Sequence, residues 1–228
     1  MFISEVFYSI QGEGILAGQP SAFIRTSGCN LRCTWCDTPY TSWQAEGEDR
    51  DVMALLKEIS AFDTKYVVIT GGEPMISRDI GHLSENLRDE GYHITIETAA
   101  TVHADVRCDL ASLSPKLSNS VPTNIDGGKY AARHEALRRN IQVIKSFIEN
   151  FPYQLKFVID AKSDLDEVES LMEDLGDVNR DRVLLMPQGR THEEVVRKSR
   201  WIAEICKSTG FRLGARLHLE LYGNTRGT

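Results

Sequence analysis

Three of the five cysteines fall on one short stretch, Cys29-Asn30-Leu31-Arg32-Cys33-Thr34-Trp35-Cys36. A disulfide uses two thiols, and a closed structural zinc site wants four ligands. Cys108 and His82, the other soft donors considered, are remote in sequence. Three thiolates can instead hold an iron–sulfur cube, whose fourth iron is then left open to a substrate or cofactor. A zinc-stabilised binding module and an iron–sulfur electron carrier are the rival readings of the thiols alone. Cys108 and Cys206 have no neighbour at ligand spacing and read as small core residues, and Trp43 and Trp201 read as packing residues.

A second group of motifs surrounds the cysteines. Thr70-Gly71-Gly72-Glu73-Pro74 pairs two glycines, which let backbone approach a ligand closely, with a carboxylate that can accept from an ammonium group. Read alone, it is also a glycine turn opening a helix. Ser114-Pro115-Lys116 and Met186-Pro187-Gln188-Gly189 are further loops of this kind. Near the N-terminus, Ser9-Ile10-Gln11-Gly12-Glu13-Gly14 offers backbone and side-chain hydrogen-bonding groups, and Arg25 carries a fork that matches a carboxylate.

The elements that must position these motifs follow from periodicity. Short β-branched runs predict strands over 22–26, 65–70, 93–97, 109–114, 155–160, 182–187 and a closing strand over 216–219 carrying His218. Amphipathic runs predict helices over 79–90, 130–150, 164–175 and 191–209, with Gly91 and Gly210 as stops. Alternating strands and helices make a parallel sheet, either doubly wound or a full or partial barrel, and both collect chemistry at the carboxyl ends of strands. The cysteine loop, GGEP, SPK and MPQG all fall there.

The chain of 228 residues, 41% hydrophobic, is read as one domain spanning residues 1–228. No run is long and apolar enough for a membrane span, and the N-terminus lacks a signal-peptide pattern, so a cytoplasmic protein is expected. A formal charge of −7 works against a general nucleic-acid surface and favours a small-molecule substrate.

CNLRCTWC resembles the CxxxCxxC signature of radical S-adenosylmethionine enzymes, in which the methionine amino and carboxylate groups chelate the open iron. GGEP after a strand strengthens the resemblance. IQGEG, the Arg25-Thr26 approach to the cysteines, Cys36-Asp37-Thr38, GGEP, SPK and a late histidine, in this order, resemble the 7-carboxy-7-deazaguanine synthase family over essentially the whole chain. The resemblance implies a carbon–nitrogen lyase that converts 6-carboxy-5,6,7,8-tetrahydropterin to 7-carboxy-7-deazaguanine on the way to queuosine and related deazapurines. It implies an α/β fold, a partial or modified (β/α) barrel of about six βα units with a mostly parallel sheet. The cofactors it implies are a 4Fe–4S cluster on Cys29, Cys33 and Cys36, S-adenosylmethionine, and Mg2+ at Thr38, which as a bare feature is a turn residue. Cofactor-side positions are Trp35, Gly72, Glu73, Ser114, Pro115, Lys116 and Gln188; substrate-side positions are Ile10, Gln11, Gly12, Glu13, Arg25, Thr70 and His218. A flavodoxin- or ferredoxin-type reductant and a homodimer are expected on the same ground. A glycyl-radical activating enzyme is the nearest rival, and the IQGEG element and Thr38 speak against it. The segment 97–101 departs from the family in lacking an Asn-Gly or Ser-Gly pair, and no contact is carried over to the tail 221–228.

Overall fold

The computed structural model describes residues 1–228. Its strands are β1 (Phe2–Ile10), β2 (Pro20–Thr26), β3 (Glu48–Asp49), β4 (Tyr66–Gly71), β5 (His93–Thr98), β6 (Leu110–Leu113), β7 (Tyr153–Ile159), β8 (Val183–Pro187) and β9 (Arg212–Leu213). They form a single open sheet in the order β3-β1-β2-β4-β5-β6-β7-β8-β9. Every pairing from β2 to β9 is parallel, while β1 pairs antiparallel with β2 and β3. The sheet is the mostly parallel, unclosed barrel expected.

The helices are α1 (Pro39–Ser42), α2 (Val52–Ile59), α3 (Ile80–Asp89), α4 (Ala131–Leu137), α5 (Ile141–Asn150), α6 (Asp164–Leu175), α7 (His192–Thr209) and α8 (Leu217–Tyr222). Capping chemistry fixes several ends. Asp51 accepts from Met53 N and Ala54 N at the start of α2, Thr191 and Glu194 form a capping box on α7, and Gly210 closes α7 in the left-handed region. No helix is long and apolar enough to cross a membrane.

Alternation along the strands sorts the residues into two layers. Ile24, Ile69, Ile96, Leu113, Leu155, Phe157 and Leu185 join the main core, into which α2, α3, α5, α6 and α7 also send buried side chains. Phe157 is fully buried there, and truncating such a ring to Ala costs about 3–5 kcal/mol. The intervening residues face the other way and are largely polar: Arg25, Thr70, Thr95, Glu97, Ser112, Gln154 and Lys156. Strand register aligns Arg25 with Thr70, Glu97 with Ser112, and Ser112 with Gln154. Cys206 lies in the main core, and Cys108 and Trp201 pack against it.

Two expectations are corrected, and β1, α1, α2 and the two-residue strands β3 and β9 stand where no element is predicted. β1 lies where no strand is predicted, because a bulge between Ile3 and Glu5 breaks its alternation. The helix over 130–150 is two, α4 and α5, separated where Asn140 leaves helical geometry and caps α5 by accepting from Val143 N. The closing strand over 216–219 is α8. Leu217, Leu219 and Leu221 alternate like a strand, but Leu and Glu favour helix, and Leu217 N is taken by Gly12 O at 2.8 Å, off the sheet edge.

Candidate active site

The cysteine loop leaves β2 and is held from several sides. Gly28 N donates to Thr41 O at 2.8 Å, Glu73 N to Gly28 O at 2.9 Å, and Gly72 N to Thr26 O at 3.1 Å. A Cβ on Gly72 would lie 2.2 Å from Gly28 O and 2.6 Å from Thr41 O, so the approach of GGEP to the loop requires glycine. On the other flank, Arg32 N donates to His134 Nδ1 at 3.0 Å, while His134 Nε2 and Ser120 Oγ lie 2.9 Å apart. Burial, then the nearby Arg138 charge, pushes the His134 pKa down to about 4, which keeps the acceptor nitrogen unprotonated. Trp35 Nε1 donates to Asn119 O, and Trp43 Nε1 donates to Cys33 O, each at 3.0 Å.

All three thiols border one cavity of about 430 Å³. Burial raises the Cys29 thiol to about 11 and the Cys33 thiol to about 12, and the charge of Cys36 adds to both shifts. Thiolates at these positions need a compensating cation. No three His, Cys, Asp or Glu side chains gather to hold a single ion. Three thiols bordering the same cavity are what a multi-iron group with one face left toward that cavity would need.

The polar strand layer supplies the rest of the wall. Lys156, 3% exposed, donates to Glu13 Oε2 and Glu97 Oε1, each at 3.0 Å. Glu97 Oε2 accepts from Thr70 Oγ1 at 3.0 Å. Arg216 joins three loops: Nε donates to Glu13 Oε1 at 3.2 Å, Nη1 to Gly189 O at 2.5 Å and Nη2 to Asp37 Oδ2 at 2.8 Å. Burial alone would push the Glu13 carboxyl up, but Lys156 and Arg216 hold it far below the usual carboxylate range. His218 lies on α8 against Gly12, where a Cβ would come within 2.1 Å of its Nδ1, and burial lowers its pKa. Arg25 Nε donates to Glu5 Oε1 at 2.5 Å, and the guanidinium stands 5.4 Å above the Phe7 ring, which stacks on Phe23 at 4.8 Å.

The cavity gathers nearly every residue anticipated from sequence. Ile10, Gln11, Gly12, Glu13, Arg25, Trp35, Thr38, Thr70, Gly72, Ser114, Lys116, Gln188 and His218 all border it with the three cysteines. Glu73 and Pro115 do not. The Glu73 carboxylate is 1% exposed and already accepts from Thr98 Oγ1 at 2.6 Å, Ala99 N at 2.9 Å and Met75 N at 3.1 Å. It ties the end of β4 to the end of β5. Pro115 is buried. Sequence reasoning missed Glu97, Lys156 and Arg216 as site residues. For the first two the signal was present, since a charged residue at alternate positions of an otherwise apolar strand points away from the core. It also missed segment 223–228, of which Gly223, Asn224, Thr225, Arg226 and Thr228 border the cavity.

Comparison with known proteins gives a consistent set of relatives. Residues 23–175 match the radical SAM superfamily. The 7-carboxy-7-deazaguanine synthase of Rhodopirellula baltica is 44% identical, with 100% of this chain and 89% of the relative covered. That of Halobacterium salinarum is 41% identical, covering 99% of this chain and 92% of the relative. The crystal structure of QueE from Escherichia coli superposes with a TM-score of 0.71 at 27% identity, covering 95% of this chain and 94% of that one.

Proposed function

The chain belongs to the radical SAM superfamily and, within it, to the 7-carboxy-7-deazaguanine synthase family, and from that membership we propose that it converts 6-carboxy-5,6,7,8-tetrahydropterin to 7-carboxy-7-deazaguanine with loss of ammonia. The observation that carries this reading is the single cavity bordered by the three thiols, the Gln11-Gly12-Glu13 loop, Arg25, Thr38, Thr70 and His218.

The superfamily's cofactors are a 4Fe–4S cluster and S-adenosylmethionine. When bound, they supply the radical that removes a hydrogen atom from the pterin. Cys29, Cys33 and Cys36 would hold the cluster. The Gly72 backbone, Trp35, Ser114, Lys116 and Gln188 border the S-adenosylmethionine side. Arg25 is committed to Glu5 through Nε, which leaves its Nη groups for the substrate carboxylate. Glu13, held ionised by Lys156 and Arg216, accepts from the N–H edge of the pterin, and Gln11 reads the same edge. Neutral His218 offers one donor and one acceptor nitrogen. Thr38 Oγ1 accepts from Thr41 Oγ1 at 3.3 Å and keeps oxygen lone-pair capacity for Mg2+ beside the substrate carboxylate. One radical SAM domain over 1–228, a cytoplasmic location, a homodimer and a flavodoxin- or ferredoxin-type reductant complete the proposal.

Anaerobic turnover with reduced protein, S-adenosylmethionine, Mg2+ and carboxytetrahydropterin tests it. Formation of the deazaguanine supports the reading; cleavage of S-adenosylmethionine with no such product refutes it. Metal analysis of anaerobically purified protein should give about four irons per chain, whereas zinc without iron would exclude the cluster. Thr38→Ala should retain the cluster and lose most of the magnesium response, and an undiminished response removes Thr38 from that role.

A further inference from the structure

Segment 223–228 is largely exposed, yet it forms one wall of the cavity. One side chain fastens it. Arg226 Nη1 donates to Glu46 Oε2 at 3.0 Å, Nη2 donates to Ser4 Oγ at 3.2 Å, and Nε stands 3.6 Å from Glu5 Oε2. Its guanidinium also lies 4.2 Å from the centre of the Tyr40 ring. These contacts tie the segment to β1 and to α1 just beyond the cysteine loop.

Glu5 is the shared acceptor. Its Oε1 receives Arg25 Nε at 2.5 Å and Tyr40 OH at 2.9 Å, while Oε2 faces Arg226. A carboxylate and a guanidinium prefer a two-bond, fork-to-fork pairing. Oε2 lies in the field of the Arg226 guanidinium, an ion-pair approach without a hydrogen bond, and Arg25 meets Glu5 through one nitrogen only. Its Nη groups make no hydrogen bond within the protein, and Arg25 borders the cavity.

We propose that Arg226 is a positioning residue: by drawing Glu5 Oε2 toward its own charge it keeps Arg25 from closing onto Glu5, and through its bonds to Glu46 and Ser4 it holds segment 223–228 over the cavity. The inference rests on the reading of Arg25 as the partner of a substrate carboxylate. Without Arg226, Glu5 turns its second oxygen to Arg25 and competes with the incoming anion, and the wall made by 223–228 loosens. A residue acting this way governs substrate capture and coupling and leaves the cofactor side alone.

The test compares wild type, Arg226→Ala, Arg226→Lys and Arg226→Ala with Glu5→Gln, all with reconstituted cluster. For Arg226→Ala, the KM for carboxytetrahydropterin should rise about ten-fold with kcat within about two-fold, and more deoxyadenosine should form per product. S-adenosylmethionine cleavage without pterin should match wild type. Arg226→Lys should recover most of the KM, and Glu5→Gln should restore part of it by weakening the competing pair. An unchanged KM and coupling in Arg226→Ala overturns the proposal, as does a KM in the double variant no better than in Arg226→Ala. Hydrogen exchange reads the latch without turnover: amides of 223–228 should exchange faster in Arg226→Ala, and equal rates overturn it. If wild type itself fails to convert the pterin, the functional reading falls, while the exchange result still decides whether Arg226 fastens the segment.

Discussion

Lys156→Met is the sharpest probe of the polar layer. The substitution keeps the length of the side chain and removes one buried charge between Glu13 and Glu97. Each contact is 3.0 Å, so at an effective dielectric of about 20 each is worth about 5–6 kcal/mol of Coulomb energy. Desolvating the ions offsets most of this, and breaking such a buried pair costs about 3–5 kcal/mol because the partners are left uncompensated. Glu13 keeps Arg216 at 3.2 Å and Glu97 keeps Thr70, which places the expected loss near the lower figure. The loss should depend on pH. In the native protein the Glu13 pKa lies below its unfolded value, so its contribution is present above about pH 4.5 and is lost as pH falls below that. The variant lacks the strongest of the charges that lower the Glu13 pKa, so Glu13 takes up a proton more readily. The destabilisation is therefore largest near pH 8 and shrinks toward pH 5. Urea denaturation of the cluster-free protein under reducing conditions, at several pH values, measures it. A loss under about 1 kcal/mol, or one that does not change with pH, refutes the assignment of Lys156 as the compensating charge.

Other perturbations bear on the loops. Gly72→Ala puts a methyl against two carbonyl oxygens and should leave a folded chain that retains far less iron and sulfide after reconstitution; wild-type cluster content would refute the interlock. Gly12→Ala displaces His218 and should raise the KM for the pterin at least ten-fold with the cluster intact, read by steady-state kinetics. His134 has a folded pKa of about 4 against an ordinary 6.5. Its unfolded form gains a proton first, so wild type should lose about 3 kcal/mol as pH falls from 6.5 to 4, at about 1.4 kcal/mol per pH unit. Denaturant titrations of His134→Gln should lack this part of the acid loss, and identical acid sensitivity in both proteins would show that His134 is not held neutral.

Legibility in the sequence followed the range of the contact. CNLRCTWC, GGEP and IQGEG are local, and each motif carries its chemistry within a few residues. The parallel strands were readable because their outer positions are apolar runs. β1 was hidden by its bulge, and α8 was mistaken for a strand because alternating leucines mimic one. Lys156 and Glu97 needed only the question of why charges interrupt buried strands. Arg216 was beyond reach, since its partner Asp37 is 179 positions away, and so was Arg226, whose contact with Ser4 spans 222. The tie from Glu73 to the end of β5 was equally out of reach, since its motif is local and its partners Thr98 and Ala99 lie 25 and 26 positions on.

The bracing of the cysteine loop bears on how the protein matures. Its supports are Phe2 O, Thr41 O, the GGEP backbone, Ser120 and His134, drawn from strands and helices far apart along the chain. The thiols are thus brought to one wall by folding itself. This is the reverse of a zinc finger, where the metal organises a chain that is unfolded without it. An iron–sulfur donor would meet a finished receptacle, and a chain stalled before α4 docks would present three thiols with no shared wall. Cluster loading would then act as a checkpoint on completed folding.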